Sequence, residues 1–333
     1  MKISTIVNQY AKDYSPYMGQ FVNHLPMGQY AIYSMTDSIE KTAEYSKNFF
    51  KKSSIDPIGD DSRTVDNLEE VLGKRELYAS TLKYLDEIID EDNVEDYISH
   101  VLNTFILGMS SGLFHTLIRL SFSVAGYEKD KDYIDEVKRA LAYYITAYRE
   151  GGLFTRRIDG KNIVSEMENL KSHSGIKKLI SDMESTGQKM KALYDSEEYM
   201  KNGFVVKGTS EEKLNALLNL TVSSFINSQG KGNILILHCI TGLQALTVLE
   251  KYFKDYENAI DVFTTCMITH LMTLDYLNFS KIKVSDEMTF DSIIAEAIKS
   301  TDVHTVKLTY SANELYKIFD REDLKIAARK RIS

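Results

Sequence analysis

The sequence predicts an all-α fold, a large single-domain multi-helix bundle with long buried central helices. Three observations carry this. Apolar residues recur at helical spacing along nearly the whole chain. Only 3 of 333 residues are proline, the residue that breaks helices and fills loops. Two stretches, residues 101–125 and 234–249, are almost continuously apolar, which suits helices buried on every side. Neither is expected to cross a membrane. The first contains His115 and Arg119, and an arginine in mid-span is costly in lipid. The second is too short to span.

Taken in order, a first helix is expected over residues 3–14. Residues 14–25 are irregular, with Pro16 and Gly19. Pro26 suits the first turn of a helix that runs to about residue 35. A helix over 37–50 precedes a loop holding Pro57, Gly59, Asp60 and Asp61. Helical segments follow over 65–72, 75–89 and from 94 into 105, and then the apolar helix over about 104–125. A helix over 131–149 is stopped by Gly151 and Gly152. Residues 156–202 are charged and gapped, and read as a more exposed helical excursion from one domain spanning 1–333. Residues 203–208 (GFVVKG) form the one expected strand. Helices then fill 210–227, 234–253, 258–277, 285–299 and 303–319, and a short helix closes the chain. No internal repeat and no Pro/Gly/Ser linker divides it.

Composition excludes some partners. A net charge of −8 argues against nucleic acid, because phosphate binding needs a basic surface. The basic tail of Lys325, Arg329, Lys330 and Arg331 reads as a solvated helix end. Cys239 and Cys266 each lie in an apolar helical stretch, as unpaired core thiols do in a reducing compartment. The opening residues lack the apolar run of a secretion signal. A cytoplasmic location without a membrane partner is the expectation.

Chemistry concentrates where polar groups enter apolar helices. Around LGMSSGLFHTLIRLSFSV, helical spacing places His115 on one face with Ser111, Gly112 and Arg119, and Gly108 one turn further back. The glycines would admit another backbone or a flat ligand. Buried polar groups must find partners, so this face meets either other side chains or a ligand. The helix ILILHCITGLQALTVL repeats the pattern with His238, Thr241, Gly242 and Gln244. Asn23 and His24 stand at the corner before Pro26. His304, Lys307 and Tyr310 lie along one stripe of the helix near the C-terminus. His270, in another apolar helix, fits either core or site.

Familiar cofactor signatures are absent. There is no HExxH, no ExxH pair, no CxxC, no GxxxxGK[ST], no strand–GxGxxG–helix unit and no GxSxG. No metal is therefore assigned from motifs, although a dispersed multi-histidine site stays open.

At these same residues the sequence resembles the questin oxidase-like family. The resemblance is carried by Asn23–Met27 (NHLPM) with Ala31, by Phe114–Leu120 (FHTLIRL), by Ala140–Tyr144 (ALAYY), by His238–Leu246 (HCITGLQAL) and by His304–Leu308 (HTVKL). Together these span most of the chain, in the family's order. The resemblance implies a large helical protein and an oxygen-using oxidoreductase. Characterised members perform a Baeyer–Villiger-type oxygen insertion on aromatic polyketides, with NADPH usually given as reductant. The matching positions are Asn23, His24, His115, Arg119, His238, Thr241, Gly242, His304 and Lys307. Two positions depart from the pattern: Gln244 stands where the family tends to have His, and Tyr143–Tyr144 where it commonly has Tyr–Trp.

The expected partners are thus a small aromatic substrate and molecular oxygen. His115, His238, His24 and His304 are the candidate acid/base residues, since imidazole titrates near neutrality. Asn23, Gly108, Ser111, Gly112, Arg119, Tyr143, Thr241, Gly242, Gln244 and Lys307 are the candidate substrate contacts, with Arg119 or Lys307 placed to stabilise an oxyanion. Two alternatives remain: a non-catalytic protein binding an apolar aromatic ligand, and a histidine-ligated metal-dependent oxygenase.

Overall fold

The computed structural model describes residues 2–19, 21–61, 63–282 and 288–332. Among them the chain is all-α, with 17 α-helices and two tiny sheets. The first helices are α1 (Ile3–Ala11), α2 (Leu25–Thr36) and α3 (Ile39–Lys52). Ser38 caps α3 by accepting from the Lys41 N–H. Next come α4 (Tyr78–Ile88), α5 (Val94–Thr104), α6 (His115–Lys129) and α7 (Ile134–Thr146).

The expected excursion consists of α8 (Ile163–Ser172), α9 (Ser174–Ile180), α10 (Thr186–Tyr194) and α11 (Glu197–Asn202). Its helices are amphipathic rather than stripped of core. Met167, Leu170, Ile176, Leu193 and Tyr199 are all buried. The C-terminal half comprises α12 (Ser210–Ile226), α13 (Ile234–Val248), α14 (Tyr256–Met272), α15 (Phe290–Ala297), α16 (Val303–Phe319) and α17 (Asp323–Ile332). The start of the helix expected over 285–299 lies outside the described residues.

Four expectations change. The segment 65–72 keeps only a short 3-10 turn, Glu69–Val71. The single strand over 203–208 has a partner: Val205–Val206 pairs in parallel with Arg157–Ile158. The irregular stretch 14–25 contains an antiparallel ladder, Tyr17–Met18 with Phe21–Val22.

The largest change concerns residues 104–125, expected to be one helix. The chain leaves α5 at Thr104, makes a 3-10 turn over Ile106–Gly108, and re-enters a helix only at His115. The break lies at Gly112, Leu113 and Phe114, with φ of 59°, 59° and 63°. Three consecutive left-handed residues, two of them with side chains, reverse the local handedness. Apolar periodicity hides this, because Leu113 and Phe114 look helical in sequence. The shared helical face of Ser111, Gly112, His115 and Arg119 therefore does not exist.

The centre is built from five helices, α2, α6, α7, α13 and α16. α6 packs on α7 and α13, α13 packs on α16, and α16 and α6 both pack on α2. α13 is apolar on all sides and is almost wholly buried from Leu235 to Leu246. That arrangement brings the N-terminal ends of α2, α6, α13 and α16 towards one place. No helix among the described residues is long and apolar enough to cross a membrane. Cys239 and Cys266 are free and buried.

Candidate functional site

Each of the four converging helix ends carries one histidine. His24 immediately precedes α2, His115 opens α6, His238 lies in the second turn of α13, and His304 is the second residue of α16. Their rings form one cluster. Centroids are 4.5 Å apart for His24–His115, 4.3 Å for His115–His238, 5.0 Å for His24–His304 and 5.3 Å for His238–His304. These residues are separated by up to 280 positions in sequence and meet only through helix packing.

Backbone carbonyls orient the first two rings. The Val22 carbonyl accepts from His24 Nδ1 at 2.5 Å, and the Gly112 carbonyl accepts from His115 Nδ1. Asn23 sets the corner: its side chain accepts from the Leu25 N–H and donates to the Ser15 carbonyl. The left-handed turn at Gly112 gives His115 its acceptor. With both Nδ1 atoms donating, both Nε2 atoms carry lone pairs, and these face each other at 2.7 Å. His238 lies alongside with both ring nitrogens unpartnered.

One donor atom from each of His24, His115 and His238 lies within 4.8 Å of the other two. Such a set suits a divalent transition metal, which binds neutral imidazole at about 2.0–2.1 Å. A carbonyl accepting from the distal ring nitrogen is the usual outer support of a histidine ligand. The ring of His238 has both nitrogens free of hydrogen bonds within the protein. No metal is assigned from linear motifs; His24, His115 and His238 form the candidate centre for the dispersed multi-histidine site left open there. The donors share no helix, so no linear motif marks them as a set.

Electrostatics keep the imidazoles neutral. Burial, reinforced by Lys307 and by the neighbouring histidines, holds His24, His115 and His238 well below the usual histidine range. His304 is lowered chiefly by burial, against the opposing pull of Asp302. Asp302 accepts from His304 Nδ1 at 3.2 Å and from Arg331 at 2.6 Å. Burial alone would raise that carboxyl, but the His304 hydrogen bonds and Arg331 hold it below the usual range. Lys307, one turn along α16, is fully buried with its Nζ unpartnered, and burial brings its pKa down to about 7. Each buried polar atom left without a partner costs about 1–3 kcal/mol.

Other expected site residues lie elsewhere in their contacts. Arg119 is buried against Glu136, with Nε at 2.9 Å and Nη2 at 2.8 Å from the same carboxylate oxygen, while Nη1 has no partner. Ser111 accepts from the Arg149 N–H at 2.8 Å and so tethers the segment that follows α7. Gly108 presses on the Tyr148 ring, where a Cβ would stand 2.2 Å from the ring. Gly242 lies against Phe263 and Phe114, and Gly112 against the Tyr143 hydroxyl. The glycine surfaces expected to receive a flat ligand are therefore filled by the protein's own rings. Thr241 bonds back to the His238 carbonyl, and Gln244 accepts from Ser311 at 3.3 Å.

His270 is a separate buried histidine. It donates to the Cys266 carbonyl at 2.7 Å, packs 4.8 Å from the Phe114 ring and keeps Nε2 unpartnered, with burial lowering its pKa to about 4.

None of the curated proteins compared matches the chain. The questin oxidase-like family model matches residues 21–312, a span that contains all four clustered histidines and Lys307. Family membership suggests an oxidoreductase. With nearly its whole length matched, the chain belongs to the questin oxidase-like family.

Proposed function

We propose that this protein is a metal-dependent oxidoreductase that oxidises an aromatic or quinone-like small molecule with molecular oxygen. The observation that carries the reading is the approach of His24 Nε2 to His115 Nε2 at 2.7 Å, with both Nδ1 atoms committed to carbonyls. Two lone pairs at that distance repel unless a cation lies between them.

His24, His115 and His238 would hold the ion, and His304 borders it. A redox-active divalent metal would supply the electron transfer to oxygen that side chains alone do not. The residues then have distinct tasks. The Val22 and Gly112 carbonyls fix the rings of His24 and His115. Burial excludes water from the centre. Lys307, with its pKa near 7, holds or releases a proton beside the ring cluster at neutral pH. The imidazoles are weak bases at that pH, so ligation suits them better than the proton abstraction expected from sequence. The converging helix N-termini favour negative charge, such as a phenolate or enolate oxygen.

The test is elemental analysis of the purified protein, followed by anaerobic loading with Fe(II) and oxygen-electrode assays on a panel of hydroquinones, anthrones and anthraquinones, with and without NADPH. Stoichiometric metal with oxygen uptake supports the reading. Failure to retain any divalent metal sinks it. Assaying Gln244→His in parallel determines whether the departure at that position limits turnover.

A further inference from the structure

We propose that Lys307 is a carbamylation site: its Nζ takes up carbon dioxide, and the carbamate so formed supplies the anion that the histidine cluster lacks. As a ligand to the ion the carbamate rests on the metal reading above; as a modification of the side chain it does not. Two lysines are buried among the described residues, Lys213 and Lys307, at 1% and 0% exposure. Lys213 Nζ donates to Asp261 at 3.0 Å, whereas Lys307 Nζ has no partner. Among the described residues Asp302 is the one carboxylate that acts on Lys307, and it is already committed to His304 and Arg331. An ammonium buried without a counter-ion is unfavourable, so burial favours the neutral amine, the form that is a nucleophile.

Charge points the same way. Lys307 acts electrostatically on all four clustered histidines. The donor set of His24, His115 and His238 is three imidazoles with no carboxylate among them. Neutral imidazoles bring no charge to offset a divalent cation, and a buried cation without an anion is costly. His238 also keeps both ring nitrogens unpartnered. A carbamate at Lys307 adds one negative charge and two oxygens, which can accept hydrogen bonds or ligate an ion as a carboxylate does. Carbon dioxide is small and uncharged, so it suits a site closed to ions. In the step, the Nζ lone pair forms an N–C bond to the carbon, one C–O π pair moves onto oxygen, and Nζ gives up one proton. No oxidant or reductant takes part. His304 lies one turn earlier on the same face of α16. Its Nδ1 faces Asp302, which leaves Nε2 to accept the proton, and 22% exposure of its side chain lets it pass the proton to solvent. The proton role given to Lys307 above belongs to the uncarbamylated amine.

The experiment takes the full chain, stripped of metal with chelator, into mildly alkaline buffer that is either free of carbon dioxide or charged with carbon-13 bicarbonate, with and without Zn(II). Carbon-13 NMR is expected to show a carbamate resonance in the parent, strongest with Zn(II), and none in Lys307→Met. Bicarbonate is expected to raise the parent's Co(II) affinity at least tenfold and to leave that of Lys307→Met within twofold, read by competition with a chromophoric chelator. Alkylation of the carbamate with triethyloxonium, followed by peptide mapping, places the label on Lys307 in the unaltered chain, so the result does not depend on the variant folding. No carbamate with or without metal, a resonance that persists in Lys307→Met, or bicarbonate acting equally on both chains overturns the proposal. The two readings fail separately. A carbamate on Lys307 in protein that retains no metal upholds the modification and sinks the metal reading. Tight Co(II) binding that ignores bicarbonate, with no carbamate, sinks this inference and leaves the metal reading standing.

Discussion

His24 and His115 meet Nε2 to Nε2 at 2.7 Å while each gives its other ring nitrogen to a backbone carbonyl. A carbonyl can only accept, so each Nδ1 carries the proton and each Nε2 a lone pair. A proton shared between the rings would relieve the repulsion, but burial and Lys307 hold both histidines well below their usual pKa. The metal ion proposed above would satisfy both lone pairs.

Removing a donor is expected to abolish tight metal binding. His115→Ala and His238→Ala each lower Co(II) affinity at least a hundredfold, read by competition with a chromophoric chelator. His270→Ala, which changes a buried histidine outside the cluster, leaves Co(II) affinity within threefold. Equal losses in all three variants would show that the cluster is not the metal site.

The Gly112 turn is expected to act on both stability and the metal. An added Cβ would lie 2.9 Å from the Tyr143 hydroxyl at a φ of 59°. Gly112→Ala costs about 1–2 kcal/mol in urea unfolding. By tilting the acceptor of His115 it weakens Co(II) binding roughly 10–100-fold. Gly112→Ala combined with Tyr143→Phe regains part of the stability, since the contact goes and the backbone strain stays.

Arg119 and Glu136 form a buried pair, each 2% exposed. Glu136→Ala leaves the guanidinium without its partner and is expected to cost about 3–5 kcal/mol. Replacing both, as Arg119→Met with Glu136→Leu, returns most of that loss. Urea midpoints of the single and double variants measure the coupling.

Lys307 gives the metal-free protein a pH-dependent stability. Its pKa is about 7 when folded and 10.5 in the unfolded chain. Between these values the unfolded state binds one more proton, so stability rises with pH through that window. Below pH 7 the buried charge opposes folding in full, on the order of 5 kcal/mol. Lys307→Met removes this term, so its gain over the parent is largest at pH 6 and fades by pH 10. A gain independent of pH would contradict a titrating Lys307.

Several features were legible in the chain itself. Helical periodicity and scarce proline specify an all-α fold, and local hydrogen-bonding rules place most helix bounds within a few residues. The odd polar residues in apolar helices marked His115 and His238 as unusual, and the dipeptide before Pro26 marked His24. These are short-range properties, dictated by side-chain period and backbone propensity. What the chain could not show is distance across helices. The turn at Gly112–Phe114 was hidden because left-handed backbone has no apolar signature when Leu and Phe adopt it. Arg119 looked like a site residue because its partner, Glu136, lies on another helix. The match between His24, His115 and His238 arises only when α2, α6 and α13 pack, since burial of their apolar faces fixes the helix ends in space. Sequence determined that polar groups would be buried in this protein; tertiary packing decided that three of them would share one point.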